Sequence, residues 1–345
     1  MQSRRFFAVQ IGRFLPLLWM AACLPDPEIS VPDLRSLGAV DLGPSPNDLS
    51  QPPDGKLTRW VAEQNVPAAP TLRAVCAGEG GQLHVAGHNG TILLFDGKTW
   101  TRETAENAGT AIVANFYALL AHGKDIYAAG ESGVIVKRDG NRWLQEAAAP
   151  AGKTSLYALA VSQEGDVFAV GDAGLVMRKT AGVWGKDSVA GTLGLADFRG
   201  VAAGSSSALY AVGLGGVVAR RTATAWELDP VPMDPTDRTN FYSVVATGQA
   251  TFAVGDYGRV MRRDADKWHR EQLPVGVPQT GHLFSVAPDG PGLLAVGASG
   301  VIVRRDAQSQ TWTADDSGTS LSLSAVSAVS PSRAVGAQGL ILVQK

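Results

Sequence analysis

Short runs of apolar residues, separated by glycine-rich or polar turns, fill the chain from residue 58 to its end. Residues 156–161 and 167–170 form two such runs, with a polar turn between them. A glycine turn at 171–174 leads to a third run, and Trp184 opens a fourth. Runs of this length, bounded by turn residues, predict β-strands rather than helices. The segment is therefore predicted to form four short strands.

The same unit is repeated along the chain. Each copy has an apolar inner-strand segment, then a Gly-x-x-Gly turn, then a tryptophan. The tryptophans are Trp60, Trp100, Trp143, Trp184, Trp226, Trp268 and Trp312, at intervals of 40, 43, 41, 42, 42 and 44 residues. The glycine turns begin at Gly87, Gly130, Gly171, Gly213, Gly255, Gly297 and Gly336. A fixed period of this length indicates a repeat architecture.

Four short strands in about 42 residues are typical of a β-propeller blade. The last unit ends after its third strand, and Trp60 precedes the first complete set of strands. The segment around Trp60 can therefore supply the fourth strand of the last blade and remove an exposed edge. We predict an all-β, seven-bladed propeller over residues 58–345, closed by its N-terminal strand. An open stack of repeats is the alternative, and it would need polar capping units at its ends.

The N-terminus has the features of an export signal. Three arginines precede a short apolar run at 14–22, which is below the roughly 20 residues that a membrane span requires but suits a signal peptide. Met20 to Cys23 resembles a bacterial lipobox, which implies a signal peptide over 1–22 and a lipid on Cys23. An ordinary cleaved signal with an incidental cysteine is the alternative. Both Sec and twin-arginine export remain open.

Residues 23–57 are rich in proline and aspartate and show no hydrophobic period. Such a composition cannot bury enough apolar surface to fold, so it predicts a disordered tether. Together with the lipobox, it predicts a lipoprotein of the bacterial cell envelope, anchored in the outer membrane on its periplasmic or surface side.

Two hairpins carry a family resemblance. Residues 95–100 (Phe-Asp-Gly-Lys-Thr-Trp) and 138–143 (Arg-Asp-Gly-Asn-Arg-Trp) resemble the Asp-box hairpin of BNR-type propellers, with one residue fewer between aspartate and tryptophan. The repeat is also similar to WD40/YVTN-like propellers and to the photosystem II assembly-factor-like group. The resemblance implies a non-catalytic role in assembly or interaction.

Composition and charge exclude several classes of function. The formal net charge is −2, so the chain offers no general attraction for nucleic acid. Its two cysteines, Cys23 and Cys76, lie in different contexts, which disfavours a disulfide framework. Cys76 falls in an inner apolar strand and is predicted to be an inert thiol. We predict no cofactor, no metal and a monomeric propeller.

A candidate binding face follows from the second position of each inner strand. In a propeller, this strand starts at the face that carries the glycine turns. The side chains at that position are Arg73, Tyr117, Tyr157, Arg199, Tyr242, Phe284 and Ser324. The turns on the same face add His88, Glu131, Asp172, Asp256 and Tyr257. Tyrosine and arginine are enriched at binding hot spots, so we predict a docking ring for a protein, peptide or glycan. The alternative is that these residues only fill the channel mouth.

Other repeated residues are predicted to be structural. The tryptophans are expected to pack between blades. A second ring is expected to form ion pairs on a solvated rim with Asp139, Asp264 and Asp306, and a basic anion-binding patch is its alternative reading. This ring is Lys137, Arg178, Arg220, Arg262 and Arg304. His84 and His88 are weak metal candidates.

One alternative function is enzymatic, as a propeller hydrolase or lyase acting on a sugar or similar small molecule, and another is that of a purely structural envelope protein. Propeller sialidases resemble this repeat pattern and use an arginine triad, a tyrosine–glutamate pair and an acid. Arg199 matches their arginine motif only faintly, and no glutamate stands out. We therefore predict no catalytic residues.

Overall fold

The computed structural model describes residues 59–148, 154–203, 208–232, 239–248, 250–264, 267–275, 277 and 281–345. Contacts divide the chain into the units Met1–Leu49 and Ser50–Lys345, and all of the described residues belong to the second unit. The predicted signal peptide, the lipidated Cys23 and the 23–57 linker lie outside the described residues. Within the described part of the chain, no helix has the length and apolarity needed to cross a membrane.

The described residues form β-strands joined by turns and short 3-10 helices. The strands are β1 (Trp60–Ala62), β2 (Leu72–Ala77), β3 (Leu83–Gly87), β4 (Ile92–Phe95), β5 (Trp100–Asn107), β6 (Thr110–Ala111), β7 (Phe116–His122), β8 (Asp125–Gly130), β9 (Val134–Asp139), β10 (Arg142–Ala148), β11 (Leu156–Val161), β12 (Val167–Gly171), β13 (Val176–Thr180), β14 (Val183–Lys186), β15 (Phe198–Ala203), β16 (Leu209–Gly213), β17 (Val218–Arg221), β18 (Trp226–Leu228), β19 (Phe241–Ala246), β20 (Thr251–Gly255), β21 (Val260–Asp264), β22 (Lys267–Glu271), β23 (Leu283–Asp289), β24 (Gly292–Gly297), β25 (Ile302–Arg305), β26 (Trp312–Asp315), β27 (Leu323–Ser327), β28 (Arg333–Gly336) and β29 (Ile341–Gln344). The 3-10 helices are Glu79–Gly81, Glu131–Gly133, Gly191–Leu195, Leu214–Gly216, Asp256–Gly258, Ala298–Gly300 and Ala337–Gly339.

The strands pair as antiparallel groups of four. Separate sheets have the orders β1-β29-β28-β27, β11-β12-β13-β14, β15-β16-β17-β18, β19-β20-β21-β22 and β23-β24-β25-β26. Two further groups, β2–β5 and β7–β10, form one nine-stranded sheet, because β5 pairs in parallel with β10 and the short β6 pairs with β5. The all-β prediction is confirmed for the described residues.

One strand of each group lies on the inside of a closed ring. In the closing sheet this inner strand is β27, and in every other group it is the strand that comes first in the chain. Along the chain, β2, β7, β11, β15, β19, β23 and β27 each contact the next inner strand, and β27 also contacts β2. This arrangement excludes an open stack of sheets.

The N-terminal strand closes the last sheet, as predicted. Strand β1 is antiparallel to β29, with Trp60 opposite Gln344 and Ala62 opposite Leu342. The backbone N–H of Glu63 extends this pairing by donating to the carbonyl of Ile341 at 2.8 Å. Residues from the two ends of the described chain are therefore neighbours in one sheet.

The hydrophobic core lies between neighbouring sheets. One cluster joins Phe168 and Val170 of β12 to Phe198 of β15 and Trp226 of β18. Trp143 and Trp226 are fully buried. The prediction that the tryptophans pack between sheets is confirmed at these positions.

An acidic residue stands three positions after each repeat tryptophan, a regularity that sequence analysis missed. The acids are Glu63, Glu103, Glu146, Asp187, Asp229, Glu271 and Asp315. Most of them accept the indole N–H of the next tryptophan along the chain, and Asp315 accepts that of Trp60. Asp187, for example, accepts from Nε1 of Trp226 at 2.9 Å and from Nε of Arg221 at 2.8 Å. A carboxylate of one sheet thus binds two donors of the next.

The cation in this arrangement also lies over an aromatic ring of the preceding sheet. We call the acid, tryptophan, cation and ring together the inter-sheet clasp. Its cation–acid pairs are Arg138–Glu103, Lys179–Glu146, Arg221–Asp187, Arg263–Asp229 and Arg305–Glu271. Its cation–ring pairs include Lys179–Tyr127, Arg221–Phe168, Arg263–Tyr210 and Arg305–Phe252. Contacts of this kind each contribute about 0.5–2 kcal/mol.

The predicted ion pairs of the second ring are partly wrong. Arg262 does pair with Asp264, at 2.7 Å. Asp139 and Asp306 are not the observed partners, because three other cations of the ring reach acids near strand ends elsewhere in their own sheets. The observed pairs are Lys137–Asp125, Arg178–Asp166 and Arg304–Asp289. Asp306 instead accepts the backbone N–H groups of Gln308 and Ser309.

The glycine turns are required for two different reasons. Gly174 has a φ of +65°, in the left-handed region that glycine tolerates best. Gly171 does not, and a Cβ atom there would lie 1.9 Å from the carbonyl oxygen of Ser155. The first glycine of this turn is thus required by a close backbone approach and not by a positive φ.

Candidate functional site

A central cavity of about 450 Å³ opens inside the ring. It is lined by the first half of each inner strand. The side chains at the second strand position all line it, as the sequence predicted: Arg73, Tyr117, Tyr157, Arg199, Tyr242, Phe284 and Ser324. We call this ring of side chains the channel mouth.

Four of these residues form a continuous row. The rings of Tyr117 and Tyr157 stack with centroids 5.0 Å apart and an angle of 20° between their planes. The guanidinium carbon of Arg199 lies 3.9 Å from the centroid of Tyr157, and that of Arg73 lies 6.0 Å from the centroid of Tyr117. The row Arg73–Tyr117–Tyr157–Arg199 thus alternates from cation to aromatic pair to cation.

Asp172 fixes one end of the row. Its carboxylate accepts from Nη1 of Arg199 at 2.9 Å and from the hydroxyl of Tyr157 at 3.2 Å. Burial raises the pKa of Tyr157, and the charge of Asp172 adds to this effect while that of Arg199 opposes it. Tyr157 therefore stays a neutral donor, and the charge of Arg199 is compensated.

Arg73, at the other end, makes no ion pair in the described part of the chain and is exposed. Next to it in the ring stands the small side chain of Ser324. The pKa of His88 is lowered by partial burial and by the charge of Arg73, which Glu131 only partly offsets. Arg73 therefore presents an uncompensated positive charge at the channel mouth.

The opposite side of the channel mouth is organised by Asp256, which is buried. It accepts from the hydroxyl of Tyr242 and from Nδ2 of Asn240, at 2.7 and 2.8 Å. Nδ1 of His282 lies 2.7 Å from the same carboxylate. Burial and the bond to Asp256 raise the pKa of Tyr242 to about 12. The rings of Tyr257 and His282 lie 5.9 Å apart.

Large apolar side chains are exposed around the same face. Val113, Leu195 and Val275 lie in connections that lead to inner strands, and they are 76%, 85% and 100% exposed. Tyr257, on the turn after β20, is 57% exposed.

The structure brings most of the predicted site residues into two clusters. Arg73, His88, Tyr117, Tyr157, Arg199 and Asp172 form one, and Tyr242, Asp256 and Tyr257 belong to the other. Glu131 lies close enough to His88 for its charge to act on that ring, and its carboxylate accepts the backbone N–H of Asn115.

Sequence analysis missed Asn240 and His282. A signal was present, because both directly precede the large apolar residue that begins an inner strand. Asn115, which also lies at this position, accepts the backbone N–H of Asn89 at 3.0 Å. These residues therefore join neighbouring repeats and shape the rim of the channel mouth.

The described residues contain no group of three or more His, Cys, Asp or Glu side chains that could hold a metal ion. His84 is fully buried beside Trp143, whereas His88 packs against Tyr117 on the channel face. The two histidines thus lie in separate environments. Burial raises the pKa of the Cys76 thiol to about 12, so it stays protonated at neutral pH.

No family model matches the sequence, and no curated protein matches it. Solved structures do match. The chain is similar to YCF48 bound to D1 peptide, with 18% identity and a TM-score of 0.65 over 82% of this chain and 94% of that one. It is similar to virginiamycin B lyase from Staphylococcus aureus, with 13% identity and a TM-score of 0.70 over 83% and 99%. The WD40 β-propeller domain of Doa1 matches with 11% identity and a TM-score of 0.63 over 83% and 97%. At these identities the likeness establishes a β-propeller fold.

Proposed function

We propose that the protein is a seven-bladed β-propeller that binds a protein or peptide at its channel mouth and does not act as an enzyme. The seven-fold count rests on the tryptophan intervals and on the four-stranded groups, with β1 counted into the last blade. A lipid on Cys23 and the acidic 23–57 linker would hold this domain at the bacterial envelope. Loss of lipid labelling in a Cys23→Ser variant is the expected check on the anchor.

The row Arg73–Tyr117–Tyr157–Arg199 is the observation that carries this proposal. Tyrosine and arginine offer large contact areas with polar ends, and they dominate the energetics of many interfaces. Arg73 adds an uncompensated charge, and the exposed Val113 and Leu195 extend the surface beyond the cavity. Aliphatic side chains of this size favour a protein or peptide over a glycan. A similar propeller, YCF48, is described as bound to a D1 peptide, which supports a peptide ligand for this fold.

The test is selection of peptides from a random displayed library on the full-length chain. Selected peptides are expected to bind a Tyr117→Ala/Tyr157→Ala variant at least about tenfold more weakly, because the double change removes the stacked pair. Val183→Ala is the matched control, since Val183 is exposed and lies in β14, away from the channel mouth. Equal binding of the double variant and the wild type would reject the proposal.

One observation favours the alternative of a hydrolase or lyase acting on a sugar or similar small molecule. Asp256 holds Nδ1 of His282, so Nε2 of that ring is free to act as a base. This alternative predicts a turnover that His282→Ala abolishes while the peptide affinity stays unchanged. The two functions are thereby distinguished in one set of variants.

A further inference from the structure

The interface between the closing sheet and the first sheet departs from the clasp pattern. At four other interfaces, a cation on the third strand of one sheet covers an aromatic ring of the preceding sheet. Here Phe95 of β4 stands at the cation's position. Arg333 of β28 lies 4.9 Å from the centroid of Phe95 and donates from Nε to Glu63 at 3.0 Å. At this interface the cation belongs to the closing sheet, which precedes the first sheet round the ring, and the aromatic side chain belongs to the first sheet, which is the reverse of the clasp pattern.

This reversal leaves Trp100 without an acceptor. Glu63 stands three positions after Trp60, so by the repeat pattern it should accept the indole N–H of Trp100, but it is bound to Arg333. The indole nitrogen of Trp100 is buried and makes no hydrogen bond, and the residue is only 8% exposed. A buried donor without an acceptor destabilises the folded protein, so a ligand that supplies an acceptor would recover part of that free energy.

The outer strands at this interface also lack a contact that three other interfaces have. At those three, neighbouring sheets pair in parallel at their outer edges, through β5 with β10, Val189 with Trp226 and Arg59 with Asp316. No such pair joins β1 to β5 among the described residues. Asn65, with a φ of +58°, turns the chain at the point where pairing would continue.

A cavity of about 510 Å³ lies at this interface, and we call it the seam groove. Trp100 lines it, together with the segment 61–65 and the hairpin residues Lys98 and Thr99. Lys345 also lines it. Glu63 is already paired with Arg333, so the lysines give the groove a positive character.

We propose that the seam groove binds an extended peptide strand of a partner protein through a carboxylate side chain. Other interfaces define the chemistry. At six of them an acid accepts the indole N–H of a tryptophan in the next sheet, and at three of these the backbone that carries the acid also pairs with the outer strand beside it. The segment 185–191 shows this at its own interface, where Asp187 accepts from Trp226 Nε1, the carbonyl of Ser188 accepts from Trp226 N, and Ala190 N donates to Trp226 O. A partner strand would do the same at Trp100, with Lys98 attracting its carboxylate. This site is separate from the channel mouth.

The experiment uses the full-length, ¹⁵N-labelled chain and an acetylated, amidated peptide with the sequence of residues 185–191, Gly-Lys-Asp-Ser-Val-Ala-Gly. The indole signal of Trp100, assigned with Trp100→Phe, is expected to move on titration and to saturate. A peptide with asparagine in place of the aspartate is expected to bind about tenfold more weakly, because a neutral acceptor replaces a charged one. Lys98→Ala should weaken binding, whereas Lys267→Ala, on the equivalent hairpin of another repeat, should not.

Three results would overturn the proposal. The first is an indole signal of Trp100 that does not move at millimolar peptide. The second is movement confined to residues of the channel mouth, which would assign the peptide to the site of the proposed function. The third concerns the chain without added peptide. If replacing Asp48 and Asp54 by asparagine moves the indole signal of Trp100 there, the groove is assigned to the chain's own acidic segment.

Discussion

At the scale of single residues, backbone contacts rather than dihedral preference explain the first glycine of the turn. Gly171 has extended backbone, and its Cα faces the carbonyl of Ser155. The N–H of Asp172 donates to that same carbonyl at 3.1 Å, so the turn is tied to the start of β11. This contact places Asp172 beside Tyr157 and Arg199 at the channel mouth.

Gly171→Ala is expected to lower the free energy of unfolding by about 2 kcal/mol or more, because the new Cβ would lie 1.9 Å from a carbonyl oxygen. Gly185→Ala is the matched control in β14, where a Cβ would meet no atom within 4 Å. It should change stability by no more than about 0.5 kcal/mol. Urea unfolding measures both, and equal losses for the two variants would contradict this account.

The sequence predicted the residues of the channel mouth but not their partners. The second strand position identifies Tyr242 as pointing to the centre, since side chains alternate along a strand. Its partner Asp256 was placed on the same face by its turn, but the bond between them depends on the twist of two strands. His282 comes from the next repeat, and nothing local in the sequence brings it to Asp256.

At the scale of strands and sheets, the inter-sheet clasp is the main polar contact between repeats. The spacing of three between tryptophan and acid is visible in the sequence. Which cation completes the clasp is not, because consecutive basic residues such as Arg178 and Lys179 end the third strands. Successive residues on a strand point to opposite faces, so Lys179 reaches Glu146 of the preceding sheet while Arg178 reaches Asp166 of its own.

In the first clasp, His84 occupies the position that an aromatic side chain holds in the other clasps. Its imidazole and the indole of Trp143 pack edge to face, with ring centroids 5.8 Å apart. Burial and the charge of Arg138 lower its pKa to about 4, and Glu103 opposes them. The folded-state pKa is below the unfolded value of 6.5. The neutral form therefore stabilises the fold fully above pH 6.5, and this contribution is lost as the pH falls towards 4.

The difference in unfolding free energy between wild type and His84→Phe should thus change by about 3 kcal/mol between pH 7 and pH 4. Phenylalanine suits the site, since Phe168 and Phe252 hold the same position in other clasps. Chemical denaturation across this pH range measures the difference. A difference that does not depend on pH would show that His84 is charged or solvated in the folded protein.

At the scale of the whole molecule, the ring depends on a three-residue strand. The sequence predicted this closure because the last unit lacks its fourth strand and Trp60 lies before the first unit. It could not predict the exchanged cation and ring at the adjoining interface, since Phe95 and Arg333 are ordinary residues for their strands. The contact between Phe95 and Arg333 forms only when the closing sheet packs against the first sheet.

Trp60→Ala is expected to free β1 and to speed hydrogen exchange in β29, because β1 covers the outer edge of that strand. Trp312→Ala is the matched control. It removes an indole that is also buried and also donates to a carboxylate, but Trp312 does not lie in the closing strand β1. Both variants should lose about 3–5 kcal/mol of stability, and only the first should expose β29. Equal exchange in β29 for the two variants would locate the weak point of the ring elsewhere.

The pairing of Trp60 with Gln344 also means that β1 is synthesised long before its partner strand β29. At about 5–20 residues per second, a ribosome needs roughly 14–57 s to extend the chain from Trp60 to Gln344. Throughout that interval, the segment that becomes β1 has no partner strand and remains available for mispairing. A holding chaperone acting on nascent chains would therefore have its largest effect on the yield of closed rings before the last repeat emerges.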